Sequence, residues 1–81
     1  MMITQEQNGH SANVRMRLLL NGSSLAIAQM GPDFLILKNP FDHPPSNAEI
    51  ILAVDDHEER WPVFLPEGIR QAHGRTPSAK L

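Results

Sequence analysis

The side chains best able to hold a metal ion are bunched in two places, Asp42-His43 and Asp55-Asp56-His57-Glu58. Imidazole and carboxylate together suit zinc, iron or manganese, provided three or four such ligands converge on one ion. Adjacent residues on one turn rarely point at one ion, and neither group has a recognised ligand spacing. The two segments therefore read as a polar hairpin tip and a loop with a turn-capping aspartate. A site joining His43 to His57 is the metal-binding alternative. Ser23, Ser24 and Ser46 all fall at turns, where serine is expected without any nucleophilic role. Gly22, Gly31 and Gly68 are isolated turn glycines, so there is no glycine-rich phosphate loop. No catalytic, cofactor-binding or metal residue is assigned on this reading, and no enzyme activity or cofactor is expected.

Four residues are candidates for an interface rather than for chemistry: Trp61, Arg15, Arg17 and Arg60. Tryptophan is enriched at interface centres, and the arginines would supply a polar rim. Trp61 also shares its alternation phase with Val63 and Leu65, which makes it a core candidate.

The elements that must position these residues are strands. Val14, Met16, Leu18 and Leu20 alternate with Arg15 and Arg17, a period of two that gives a strand with one wet face. Asn21-Gly22 follows, and both residues tolerate the positive φ of a type I′ hairpin turn. Ser24 to Gln29 returns with Leu25 and Ile27 on one face and small alanines on the other, where something could approach closely. After the Gly31-Pro32-Asp33 turn, Phe34-Leu35-Ile36-Leu37 is apolar at every position. That pattern predicts a central strand, Phe34 to Lys38, covered on both faces.

Asn39 to Asn47 contains three prolines and reads as a stiff crossing segment, with Phe41 as an anchor capping the core. Ala48–Val54 and Glu59–Leu65 make a further strand pair around a four-residue charged loop, with Pro62 placing the second arm at an edge or bulge. Pro66-Glu67-Gly68 turns the chain, and Ile69 is expected to tuck back. Residues 1–13, which include His10, read as a disordered leader, and residues 70–81 as a basic flexible tail.

The fold class expected is thus all-β: a five- to six-stranded antiparallel meander, barrel or sandwich, over residues 14–69 with disordered ends. About 55 residues make a marginal core on their own, so self-association or docking on a larger protein is expected. With 41% hydrophobic and 20% charged residues, the composition is that of a globular chain. The net charge of −2 conceals an acidic domain and a tail carrying Arg70, Arg75 and Lys80 without an acid. An acidic domain does not suit nucleic acid. No stretch approaches the roughly 20 apolar residues of a membrane span. No secretory signal is visible, and with no cysteine a cytoplasmic setting is the expectation.

Three pieces of this layout resemble PilZ domains, which are small β-barrels: Arg15-Met16-Arg17, Gly31 to Leu37, and Pro44-Pro45-Ser46-Asn47-Ala48-Glu49-Ile50. The resemblance implies a barrel and, in principle, a cyclic-dinucleotide ligand. The family's ligand residues are two arginines three positions apart ahead of the first strand, and an Asp/Asn-x-Ser-x-x-Gly turn. Here Arg15 and Arg17 are two positions apart within the strand, and in Ala28 to Asp33 an alanine and a methionine stand where that turn has its acid and serine, so no such ligand is expected. The function expected is a non-enzymatic protein-interaction module, an accessory subunit or self-associating domain. The alternative is a divergent PilZ-like, ligand-responsive barrel that has lost the usual cyclic-dinucleotide motif.

Overall fold

The computed structural model describes residues 13–81. The leader expected over residues 1–13 lies, but for Asn13, outside the described residues. What is described is all-strand: β1 (Val14–Leu20), β2 (Ser23–Met30), β3 (Phe34–Leu37), β4 (Ser46–Val54), β5 (His57–Leu65), β6 (Thr76–Pro77) and β7 (Ala79–Lys80). They form one seven-stranded antiparallel sheet in the order β6-β3-β2-β1-β4-β5-β7. Because β6 and β7 belong to one short segment, the two ends of this order meet, and the sheet curls into a nearly closed barrel. Among the described residues no helix is long and apolar enough to cross a membrane.

The expected hairpin forms at Asn21-Gly22, where φ is +51° and +81°. Paired φ > 0 matches the twist of the flanking strands. The second hairpin is tighter than expected. Val54 pairs directly with His57, so the turn is Asp55-Asp56 alone, and His57 and Glu58 belong to β5. Asp55 takes a φ of +55°, which aspartate accepts more readily than most residues. Pro62 keeps its register opposite Glu49. Its carbonyl accepts from Leu81 N–H at 3.2 Å on the side away from β4, so the missing donor faces the end of the short β5–β7 ladder and leaves the β4–β5 ladder intact.

One side of the sheet supplies the core. Leu18, Leu20, Ile27, Leu35, Leu37, Ile50, Val63, Leu65 and Ile69 form a single buried cluster, flanked by Met16, Leu25, Met30, Ala48 and Trp61. Ile69 thus tucks in as expected. Its amide and carbonyl exchange hydrogen bonds with those of His43, at 2.9 and 2.8 Å, fastening the proline-rich crossing to the end of the barrel. Phe41 does not cap the core. It is exposed, with its ring edge-on to His43 at 6.2 Å.

Two expectations are corrected. The Phe34–Leu37 strand is neither central nor sealed on both faces. Leu35 and Leu37 are buried while Phe34 and Ile36 are half-buried, and β1 holds the middle of the order. The outward Phe34 ring finds local cover instead. Gly31 lies against one part of it, and the Arg75 guanidinium stands 4.3 Å above its centroid. The second correction concerns residues 70–81, expected as a loose tail. Thr76 and Pro77 pair with Leu35 and Phe34, and Ala79 and Lys80 pair with Phe64 and Val63. Two open sheet edges leave unpaired donors and acceptors, and the passing segment satisfies both at once.

Candidate functional site

The β1–β2 ladder runs from Leu20 opposite Ser23 to Arg17 opposite Ala26, and stops there. Beyond that point Val14, Arg15 and Met16 stay paired with β4, whereas β2 continues along β3. The divergence has a local cause. The β2–β3 register shifts between Ile27 and Gln29, a bulge at Ala28 that bends its strand and increases its twist. Ala26 and Ala28 are too small to fill the space that opens. The result is a crevice of about 390 Å³, with Met16 and Ile27 from the core face at its floor.

Three cations line this crevice, Arg15, Arg17 and Lys38, and no carboxylate does. Arg17 Nη1 donates to Ser24 Oγ at 3.3 Å. Among the described residues, neither Arg15 nor Lys38 takes part in an ion pair. The open sides of two strands therefore face a small positively charged gap with an apolar floor. Its chemistry suits carboxylate or phosphate oxygens, which guanidinium groups hold through paired N–H donors.

The four interface candidates do not act together. Arg17 and Arg60 lie in one row across the outer face, separated by Ile51. Two strand spacings put them about 10 Å apart along that row. Arg60 is already occupied by Glu58 at 3.1 Å and Glu49 at 3.6 Å. Trp61 lies on the opposite, inner face, packed against the core cluster. Its ring carries Lys80 Nζ 5.7 Å from the centroid. The core alternative for Trp61 is the one the alternation supports, and a rim of arginines around it does not form.

His43 and His57 are held apart. His57 starts β5 next to Val54, which pairs with Val14 at the beginning of β1, while His43 bonds Asn21 just past the end of β1. The length of β1 separates them, roughly 20 Å at strand rise. Both His43 nitrogens are engaged: Nδ1 donates to the Pro44 carbonyl at 2.7 Å, and Nε2 accepts from Asn21 Nδ2 at 3.1 Å. Asp42 Oδ1 accepts from Gln71 N–H at 2.9 Å, a turn-fastening role in line with the loop reading. Among the described residues no group of three metal-capable side chains gathers. Ser46 Oγ donates to the Asn47 carbonyl and Ser24 Oγ accepts from Arg17, so neither hydroxyl is set against a base.

Lys38 is the member of the crevice that sequence reading missed. Its signal was faint: a lysine ending an apolar strand, opposite the alanine face of β2. No family model, curated protein or solved structure matches the chain.

Proposed function

We propose that this barrel is a non-enzymatic interaction module, the accessory part of a larger assembly, and that it binds an acidic, extended segment of a partner protein along the β1–β2 crevice. The observation that carries the reading is the meeting of three cations with two strand edges whose mutual ladder has stopped. An extended peptide can add to such edges through its main chain, and acidic side chains then meet the cations.

The test is a titration of the isotopically labelled protein with a short poly-glutamate peptide, read by amide resonances at low and high salt. Shifts centred on residues 14–17, 26–28 and 38, weakening several-fold as salt rises, are expected. Shifts centred elsewhere, or none, would remove the reading.

A second reading is favoured by one observation. A volume of about 390 Å³ is in the range of small-ligand pockets, and Arg15 and Arg17, although not at the spacing of the PilZ ligand arginines, both line it. A cyclic dinucleotide that saturates the same amides at lower concentration than the peptide would favour the ligand-responsive barrel over the protein-binding one.

A further inference from the structure

The segment from Thr76 to Leu81 does more than end the fold. It lies in a seam between β3 and β5, pairing with Phe34 and Leu35 on one bank and with Val63 and Phe64 on the other. Ser78 N–H adds a bond to the Asp33 carbonyl at 2.9 Å, and Leu81 N–H adds one to that of Pro62 at 3.2 Å. Cations meet aromatic rings on both banks: Lys80 of the segment lies over Trp61, and Arg75, the hinge residue just before the segment, lies over Phe34. Beside it a hollow of about 180 Å³ reaches Met30, Ile50, Trp61 and Val63. Without its occupant, the seam is an apolar slot between two open strand edges.

The connection to that occupant is slight. Residues 70–75 are all exposed. Beyond Gln71, the one loop hydrogen bond made by backbone N–H groups of residues 72–75 runs from His73 N–H back to the Arg70 carbonyl. Nothing lies within 4 Å of the position a Cβ would take on Gly74. A hinge built this way constrains where the segment goes far less than the seam does.

We infer that the seam is a strand-exchange site, and that it accepts residues 76–81 of a second copy of this chain in place of its own. Every contact in the seam is preserved when the segment comes from another molecule. The closed and exchanged forms then differ only at the hinge and in the entropy of association, which makes exchange a low-cost route to a dimer. The core without the segment is small enough for two copies to benefit from sharing it. This goes beyond the crevice reading and involves none of its cations, so either can fail without the other.

The experiment uses the full chain. It contains no cysteine, so a single pair can be introduced by Asp33→Cys with Ser78→Cys, the facing positions next to the Phe34–Pro77 pair, where Ser78 N–H donates to the Asp33 carbonyl and cross-strand partners typically stand about 5 Å apart at Cα. Light scattering after size exclusion is expected to show a dimer fraction that grows with concentration. Mild oxidation of that fraction should give a band of twice the chain mass on a non-reducing gel, whereas the monomer fraction gives one chain mass. A chain that stays monomeric at every concentration overturns the proposal. So does a dimer whose crosslinks all fall within single chains. If the cysteine variant does not fold, a dimer of labelled and unlabelled wild-type chains decides the same question. Contacts between Leu35 of one copy and Thr76 of the other support exchange, and their absence refutes it.

Discussion

Gly68 lies so close to His43 that a methyl group built on it would stand 1.9 Å from the His43 carbonyl oxygen. That oxygen is the acceptor for Ile69 N–H, so the missing side chain is what allows the crossing segment and the end of β5 to meet. Gly68 also has a φ of +64°. Gly68→Ala therefore meets both a backbone clash and a strained dihedral, and should cost about 3 kcal/mol. Gly22→Ala, at φ +81° but in open space, should cost about 1 kcal/mol through the dihedral alone. Gly74 has open space and no positive φ, so Gly74→Ala should be neutral or slightly stabilising. Urea midpoints of the three variants check the ranking. Equal losses at Gly68 and Gly22 would mean that the close approach to His43 contributes nothing.

Trp61 should behave as a core residue rather than an interface anchor. It is half-buried against the main cluster on the inner face. Trp61→Ala is expected to cost about 2–3 kcal/mol, below the range for fully buried tryptophan because part of the ring faces Lys80. Trp61→Phe should recover most of that loss. Chemical denaturation of the pair decides it: an alanine variant with wild-type stability would return Trp61 to the surface.

What could be read from the chain depended on how local the determining pattern was. The β1–β2 hairpin needs a period of two and an Asn-Gly turn, both contained in Val14–Met30, and it forms where those signals put it. Leu35 and Leu37 were legible as core for the same reason, but the neighbours of their strand were not. Its second partner is Thr76-Pro77, two residues long and far along the chain, in a stretch whose proline, glycine and charges read as a tail. Strands that short hold position through tertiary pairing, and nothing in their own composition announces it. Arg15 and Arg17 were visible candidates. Their joining with Lys38 depends on a bulge at Ala28, which is a property of the β2–β3 register and not of any residue type.

Ile51 shows how the outer face protects an apolar side chain. It is 1% exposed, yet it alternates with Ile50 and so lies outside the main cluster. Its partners across the two neighbouring strands are Arg17 and Arg60, whose alkyl stems can cover it while their charged heads reach Ser24, Glu49 and Glu58. Ile51→Ala should therefore cost about 2–4 kcal/mol, like an interior isoleucine. Arg60→Ala should cost up to about 1 kcal/mol, and Arg60→Lys, which keeps the stem, much less. Thermal unfolding separates the stem from the charge: equal losses for the lysine and alanine variants would assign the effect to the guanidinium.

The cations of the crevice should contribute to binding and little to folding. Arg15 and Lys38 are exposed, and neither takes part in an ion pair among the described residues, so Arg15→Ala and Lys38→Ala should each change stability by less than about 0.5 kcal/mol. Removing one of three like charges lowers their mutual repulsion, so a small gain in stability is as acceptable as a small loss. Affinity for an acidic peptide should fall in both variants, and the double variant should lose most of its salt dependence. Arg60→Ala is the control. Its charge is already neutralised by Glu49 and Glu58, so peptide binding should hardly change. Calorimetric titration at two salt concentrations measures all of these on one scale. If Arg60→Ala weakens binding as much as Arg15→Ala does, the peptide lies across the outer face and not in the crevice.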